Sequence, residues 1–179
     1  MAAIAIRPYQ ASDLPAMLDV RHSAITRICS RDYTHAQTTA WVNNSNDVAT
    51  QGVRFEKSQA WVACTDNSLV GYTNLGEKGY IDCLYVHADY QRRGVATALI
   101  AALEKAAARD RLSRLHSEVS ITARPSFERQ GFAVVTPQIV TSNGQQYDNF
   151  KMEKWLTAPT LRVARPTDDI DALLRFYAQ

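Results

Sequence analysis

The sequence predicts a mixed α/β domain, built on a twisted, mostly antiparallel sheet of six or seven strands with helices on both faces. Three observations support this prediction. Short runs rich in β-branched and aromatic residues recur along the chain, turn-forming residues join several of them, and apolar residues at helical spacing separate others. The most informative stretch is a glycine-containing loop at residues 91–96, which follows a strand-like run and precedes an alanine-rich helix.

The overall composition fits one globular domain and excludes several other classes. The 179 residues can form one core, and the 46% hydrophobic and 21% charged fractions are near globular averages. A net charge of +2 is too small to imply a nucleic-acid partner. No apolar run approaches the roughly 18 residues that cross a membrane, and residues 1–7 do not resemble a signal peptide. We therefore expect a cytoplasmic protein with neither nucleic acid nor a membrane as partner.

The three cysteines, Cys29, Cys64 and Cys83, are odd in number and widely spaced. This spacing argues against a disulfide framework and a structural zinc site, so reduced, buried thiols are expected. For Cys83, which lies in the strand before the loop, a thiol facing a bound ligand is the alternative. No histidine spacing suggests a metal, and no metal site is expected.

The first half of the chain alternates between strand-like and helical stretches. Residues 4–9 predict a strand, and Ser12 and Asp13, both good N-caps, predict the start of a helix. Two short helices separated by a polar loop follow, and then a three-stranded meander with a turn at residues 66–68. These helices and strands are predicted at residues 14–28, 35–42, 47–57, 59–65, 69–75 and 80–86.

The second half contains a predicted alanine-rich helix, at residues 97–109, and the last three strands. The apolar side of this helix should pack on the sheet. Pro125 and Gly131 predict the beginning and the end of a later, shorter helix. Strands are predicted at residues 112–120, 132–140 and 145–155, with Ser142-Asn143-Gly144 as a hairpin turn.

The loop at residues 91–96 has the features of an anion site. Gly94 lets the backbone approach a ligand closely, and Ala96 leaves the first helical turn open. The unpaired amides and the positive dipole end of the helix would point at the ligand. Because such an end attracts phosphate, the loop is expected to bind a pyrophosphate group.

The same loop resembles a motif of a known family. Gln91-Arg92-Arg93-Gly94-Val95-Ala96 is similar to the Q/R-x-x-G-x-G/A loop of the GNAT superfamily, the acyl-CoA-dependent N-acyltransferases. Residues 123–132, ARPSFERQGF, are similar to the A-x-x-F-Y-E-K-x-G-F segment of that family. The resemblance covers roughly residues 4–154. It implies the GNAT-type acyl-CoA N-acyltransferase fold, with a splayed pair of parallel strands, and acetyl-CoA as cofactor.

Further features are similar to the YafP-like acetyltransferases within that superfamily, namely Tyr33, Trp41, the Arg-Arg-Gly-Val-Ala loop at residues 92–96 and the Asn149-Phe150 pair. The resemblance also implies that loop amides and the Thr97 hydroxyl hold the pyrophosphate, and that the amide arm of the cofactor lies between residues 84–86 and 119–120. For Arg92 and Arg93, ordinary solvated surface is the alternative. The expected cofactor-binding residues are Leu84, Tyr85, Val86, Gln91, Arg92, Arg93, Gly94, Val95, Ala96, Thr97, Ser126 and Phe127.

Catalytic residues depart from the family pattern, because Phe127 occupies the position of the tyrosine that usually serves as general acid. Tyr147, Ser120 and Tyr33 are the substitutes, and a thiol of pKa about 8.5 also leaves tolerably well unassisted. Asp82 is the first candidate for the general base, since apolar neighbours would desolvate its carboxylate and make it a stronger base. A carboxylate satisfied by a backbone group or an arginine is the alternative. His22 and His35 are further candidates, with plain surface as the alternative.

Tyr33 and Trp41 are expected to line a pocket for an apolar or cationic amine, with Trp61 as a third candidate and core packing as the alternative for Trp41. The expected function is transfer of an acetyl group from acetyl-CoA to a primary amine of a small molecule or peptide, by direct attack in a ternary complex. A catalytically weak acyl-CoA-binding or regulatory module is the alternative, since Phe127 removes the usual acid.

The acetyltransferase domain is expected at residues 1–157 and a C-terminal extension at residues 158–179. Residues 160–179 predict a strand followed by a capped amphipathic helix, and they resemble the opening βα unit of vicinal-oxygen-chelate, glyoxalase-like modules. Three alternatives stay open. The extension docks on the domain, it is the remnant start of a second domain, or it exchanges a strand with a second chain in a homodimer.

Overall fold

The computed structural model describes residues 3–44, 48–66 and 68–156, with the backbone alone at residues 48–51. Within these residues the chain forms seven strands and five helices in the predicted order. The strands are β1 (Ala5–Pro8), β2 (Gln59–Thr65), β3 (Ser68–Leu75), β4 (Ile81–Val86), β5 (Arg114–Ser120), β6 (Ala133–Ser142) and β7 (Gln145–Trp155). The helices are α1 (Leu14–Arg27), α2 (His35–Asn43), α3 (Val48–Glu56), α4 (Val95–Arg109) and α5 (Arg124–Arg129). The predicted C-terminal extension lies outside the described residues.

The strands form two antiparallel sheets rather than one continuous sheet. The first sheet has the order β1-β2-β3-β4, and the second has the order β5-β7-β6. An isolated parallel bridge between Tyr80 and His116 joins them, and beyond it β4 and β5 diverge. The splayed parallel pair is therefore present as predicted, and the expected single sheet is divided at that pair.

The junction at the start of β4 and β5 is tight. Gly79 has a φ of +85°, and a Cβ atom built there would lie 2.0 Å from the backbone oxygen of Arg114. Only glycine permits this conformation and this approach. Nearby, the Ser117 hydroxyl donates a hydrogen bond to Ile81 O at 2.7 Å. The two strands thus begin in contact, and the gap between them opens toward their carboxyl ends.

Helices cover both faces of the first sheet, as predicted. Each large side chain that is fully buried contributes about 1.5–3 kcal/mol relative to an exposed position, so these contacts fix α1 and α4 on the sheet. The buried residues include Ile100, Leu103, Ile81 and Leu115 on the α4 face, and Met17, Val20, Val62 and Tyr72 on the α1 face.

Three aromatic rings connect α2 to the second sheet. The ring centroids of Tyr33, Trp41 and Tyr147 lie 5.6 to 5.9 Å apart. The Tyr33 hydroxyl donates a hydrogen bond to Asp148 O at 2.8 Å. It accepts a hydrogen bond from the amide of Ile121, the residue after β5, at 3.0 Å. The Tyr147 hydroxyl donates to Gln37 O at 2.9 Å. These contacts fix α2 beside β7, where the cluster forms part of the wall of the cavity described below.

Two local predictions had different outcomes. The hairpin between β6 and β7 is confirmed, with φ of +48° at Asn143 and +72° at Gly144. The prediction that Asp13 caps α1 is wrong for its side chain, although the residue occupies the N-cap position. Its carboxylate instead accepts two hydrogen bonds from Arg7, at 2.6 and 2.7 Å, and one from the Gln10 amide at 2.8 Å. The arginine of β1 competes successfully because a bidentate, charge-assisted pair is stronger than a neutral cap.

Candidate functional site

A cavity of about 390 Å³ opens between β4 and β5. Its lining residues come from both faces of the divided sheet. Ala96, Ser126 and Phe127 line it from the side of α4 and α5, whereas Tyr33 and Arg54 line it from the side of α1, α2 and α3. Two ligands could therefore approach the same gap from opposite faces.

The first turn of α4 borders this cavity. Gly94 has a φ of +86° and a ψ of 1°, a conformation that favours glycine. A Cβ atom built there would have Ile4 Cδ1, at 4.0 Å, as its nearest neighbour outside the adjacent residues. The backbone conformation therefore favours glycine, while the space beside it is open. The amides of the first helical turn have no carbonyl partner four residues earlier, and this geometry suits a phosphate group.

The side chain of Gln91 shapes the loop. Its Nε2 atom donates to Val86 O at 2.8 Å and to His87 O at 3.4 Å, so it closes the carboxyl end of β4. Gln91 also lines the cavity. The resemblance implied only cofactor binding for this residue, and the sequence pattern did not predict its contact with β4.

The other polar side chains of the loop and first turn have their own surroundings. The Arg93 guanidinium lies over the Tyr90 ring, 5.0 Å from its centroid, and Arg92 is exposed. The Thr97 hydroxyl accepts a hydrogen bond from the Gln130 side chain at 3.0 Å. Both arginine side chains lie near the helix N-terminus, where a positive charge adds to the attraction for an anion.

The strand segments predicted to hold the amide arm of the cofactor border the gap. Leu84, Tyr85 and Val86 line the cavity from β4, and Val119 and Ser120 line it from β5. In the described ladders β4 pairs with β3 and β5 pairs with β7, so the two edges that face each other across the gap are unpaired beyond the bridge. Such edges can pair with an extended ligand.

Asp82 lines the cavity from β4, and the Arg54 guanidinium of α3 binds its carboxylate. Asn74 Nδ2 lies 3.5 Å from the same oxygen. The arginine pairing that was the alternative for Asp82 is present, yet 25% of its side chain is exposed and can be reached by a ligand. Burial alone would lower the pKa of Arg54, but the hydrogen bond and charge of Asp82 raise it above its ordinary value. Arg54 is therefore a permanent cation.

Tyr80 and Glu118 also line the cavity, and no sequence motif pointed to either of them. Burial raises the pKa of the Tyr80 hydroxyl, and the charges of Asp82 and Glu118 raise it further against the effect of Arg54. Two carboxylates, an arginine and a phenol thus gather where the strands diverge. The alternation of side chains along β5 predicts that Glu118 and Ser120 share a face. Nothing in the sequence indicates that this face lies near Tyr80 or Arg54.

The candidates for the general acid differ in whether their hydroxyl proton is already donated. Tyr147 and Tyr33 both donate to backbone carbonyls, as described above. Burial raises the pKa of both phenols, that of Tyr33 to about 12. Ser120 Oγ accepts a hydrogen bond from the Ala123 amide at 3.2 Å. Among these three residues, Ser120 is the one whose hydroxyl proton has no acceptor within the described chain.

Phe127 belongs to the core, although it also borders the cavity. It is only 3% exposed, and its ring centroid lies 5.0 Å from that of Phe132. The position at which the resemblance implies a tyrosine therefore carries no proton donor. A departing thiolate must obtain its proton from another group or from water.

Cys83 also lines the cavity, but its thiol is not activated. Its Sγ atom lies 3.1 Å from Asn74 Oδ1, and burial raises the pKa of the thiol to about 12. Because the thiolate is the nucleophilic form, Cys83 is a buried structural residue rather than a site of acyl attachment.

A buried arginine positions the wall opposite α4. The Arg21 guanidinium donates to Trp41 O at 2.5 Å and to Val42 O at 3.1 Å, near the carboxyl end of α2. A cation is favoured there because the helix dipole is negative at this end. No sequence signal pointed to Arg21, since its position in α1 carries no motif.

The aromatic and histidine candidates are divided between several places. Tyr33 and Trp41 line the cavity, whereas Trp61 packs against the core beneath α4. His22 and His35 line a separate hollow between α1 and α2.

Within the described ranges, no three His, Cys, Asp or Glu side chains are grouped so that they could hold a metal ion. None of the helices described has the length and apolar character needed to cross a membrane.

Comparison with known proteins gives consistent matches. Residues 29–154 match the family model described as an acetyltransferase (GNAT) domain. The chain is 38% identical over 152 residues to the uncharacterized N-acetyltransferase YafP of Escherichia coli (strain K12), which covers 85% of this chain and 96% of that protein.

Two solved structures show the same fold. A GCN5-related N-acetyltransferase from Rhodopseudomonas palustris is 31% identical with a TM-score of 0.84, over 87% of this chain and 98% of the other. The PaiA N-acetyltransferase from Thermoplasma acidophilum, solved in complex with coenzyme A, is 18% identical with a TM-score of 0.68, over 86% and 99%. The divided sheet, the loop before α4 and these matches agree. The chain therefore belongs to the GNAT family and is an acetyl-CoA-dependent acetyltransferase similar to YafP.

Proposed function

We propose that this enzyme acetylates a primary amine of a small molecule or peptide, by direct attack of the amine on acetyl-CoA in a ternary complex. The observation that supports this most is the cavity lined from both faces of the divided sheet. A cofactor from the α4 side and an amine from the α1 to α3 side can meet between β4 and β5. The protonated, buried thiol of Cys83 also favours direct attack over an acyl-enzyme intermediate.

In this proposal backbone groups hold most of the cofactor. The amides of residues 92–96 bind its pyrophosphate at the N-terminus of α4, and Thr97, Arg92 and Arg93 add a hydroxyl and positive charge. The free edge of β4 at residues 84–86 pairs with the amide arm. Ser126 and Phe127 border the same arm from α5. These assignments depend on backbone geometry, so most side chains of the loop tolerate change better than Gly94 does.

The chemical step needs an oxyanion donor and a base. An amide on the free edge of β4 donates to the thioester oxygen and stabilises the negative charge that develops there during attack. The acceptor, an ammonium of pKa about 10, gives up a proton to Asp82, directly or through water. The neutral nitrogen then forms a bond to the carbonyl carbon.

The leaving group departs as the thiolate of coenzyme A when the tetrahedral intermediate collapses. Ser120 donates a hydrogen bond to the sulfur. The attacking nitrogen is positively charged after the bond forms, and the proton that it loses goes to the thiolate directly or through water. With a thiol pKa of about 8.5, this departure does not demand a strong acid. Tyr147 and Tyr33 are less suited, because their hydroxyl protons anchor the fold.

The test is thiol release from acetyl-CoA in the presence of alkylamines, amino acids, peptides with free N-termini and lysine-containing peptides. We expect at least one class to raise thiol release above hydrolysis, with the acetylated amine identified by mass spectrometry. Calorimetry with coenzyme A measures cofactor binding separately. Tight cofactor binding without amine-dependent release would support the weak binding module that Phe127 allows, and absent binding would reject the site.

A further inference from the structure

We infer that Glu118 binds the ammonium form of the acceptor and makes the site select amines that are cationic in solution. The inference rests on the proposed function, because it names the substrate class of the same cavity. Glu118 is an exposed residue of β5 that lines the cavity beside Tyr80 and Asp82.

The charges at this part of the cavity do not balance. Arg54 and Asp82 form an ion pair, so together they are close to neutral. Within the described part of the chain, the Glu118 carboxylate makes no hydrogen bond and no ion pair. Lys151 is its cross-strand partner on β7, but the two side chains form no ion pair. Arg21 also lines the cavity, but its guanidinium is bound to the backbone oxygens of Trp41 and Val42. Among the described charged residues of the lining, Glu118 is therefore the one whose charged group has no partner.

Glu118 and Asp82 are placed to act on one bound group. Glu118, His116 and Ser120 alternate along β5 and share a face. The His116 ring lies against the Tyr80 ring, with 5.4 Å between their centroids. Asp82, Glu118, Arg54 and Tyr80 all line the cavity, and the charges of the two carboxylates raise the pKa of the Tyr80 hydroxyl.

The two carboxylates have different roles in this arrangement. An amine of pKa about 10 arrives almost entirely as a cation at neutral pH, and it must become neutral before it attacks. Glu118 attracts the cation, because its charge is not already matched within the described chain. Asp82 accepts the proton, and Arg54 balances its charge. Glu118 forms no bond to the acetyl group, so its effect falls on KM rather than kcat.

Two acceptors of similar length, one charged and one neutral, distinguish ammonium binding by Glu118 from any other role of this residue. Pentylamine is a cation at neutral pH, whereas pentanohydrazide carries an uncharged nucleophilic nitrogen. For Glu118→Gln we expect the KM for pentylamine to rise about tenfold. A change of this size corresponds to the loss of one charge-assisted hydrogen bond. Its kcat and the KM for the hydrazide should stay within about twofold. Lys151→Gln should lower the KM for pentylamine, because it removes a neighbouring positive charge.

Glu56→Gln is the matched control, since Glu56 is an exposed carboxylate at the end of α3 that does not line the cavity. Equal changes for both acceptors, or a fall in kcat with unchanged KM, would overturn the inference. If the wild-type enzyme acetylates neither acceptor, binding of pentylamine to the coenzyme A complex is measured by calorimetry. Binding that Glu118→Gln weakens then supports the ammonium site while the proposed acceptor class fails, and absence of binding overturns the site.

Discussion

At the scale of single residues, Gly94 is favoured by its backbone conformation and not by crowding. Its φ of +86° places the loop amides at the start of α4, and the nearest neighbour of an added Cβ atom would be 4.0 Å away. Asp82 depends on a different property, the balance between its pairing with Arg54 and its exposure to the cavity. The two residues therefore allow cofactor binding and proton transfer to be tested separately.

Gly94→Glu should weaken binding of coenzyme A by at least about a hundredfold, because like charges brought together at a binding site cost several kcal/mol. Calorimetry measures the affinity. Gly94→Ala is the control, since it keeps the space open and adds only the strain of the left-handed conformation, about 1–2 kcal/mol of folding stability. Unchanged affinity in Gly94→Glu would reject the pyrophosphate site.

Asp82→Asn should lower kcat by about a hundredfold or more, the usual contribution of a general base. Its affinity for coenzyme A should not change. Arg54→Gln distinguishes a base from a structural partner, because it breaks the same ion pair and leaves the carboxylate in place. If Arg54→Gln lowers kcat as much as Asp82→Asn does, Asp82 acts through the ion pair and is not the base.

At the scale of elements, the site exists because β4 and β5 touch at one end and separate at the other. Gly79 permits the contact, since a Cβ atom there would lie 2.0 Å from the Arg114 oxygen. The Ser117 hydrogen bond to Ile81 O holds the strands together just beyond it. From there the gap widens between α4 on one face and α1 on the other.

Gly79→Ala should destabilise the protein by about 2–4 kcal/mol, through combined positive-φ strain and overlap with the backbone of β5. The shift of β4 against β5 should also lower kcat. Gly76→Ala serves as the control, because its φ is −90° and its added Cβ would meet only Tyr80 O at an ordinary 3.5 Å. Chemical denaturation measures both effects, and equal stability of the two variants would contradict the role given to Gly79.

At the scale of the whole molecule, the described residues already form a complete support for the site. Both sheets, the helices on both faces of the first sheet, and the aromatic cluster that fixes α2 lie between residues 3 and 156. We therefore propose that the acetyltransferase domain ends near residue 157 and that residues 158–179 are an extension of it.

Deleting residues 160–179 should change the melting temperature by less than about 2 °C, which corresponds to a small change in free energy of unfolding for a domain of this size. Affinity for coenzyme A should also stay the same. Calorimetry and light scattering, applied to the full and shortened chains, measure stability, affinity and oligomeric state. Loss of stability would show a docked segment, and a change from dimer to monomer would show strand exchange.

The sequence by itself determined the features that depend on neighbouring residues. The loop before α4, the bounds of most strands and helices, and the turn at Asn143 and Gly144 follow from local periodicity, glycine conformation and turn chemistry. Only the tertiary structure decided the pairing of Asp82 with Arg54, the position of Glu118 and Tyr80 in one cavity lining, and the use of the Tyr33 and Tyr147 hydroxyls as anchors. Each of these joins residues distant in the chain, and such contacts depend on how helices and strands pack rather than on the preferences of any one segment.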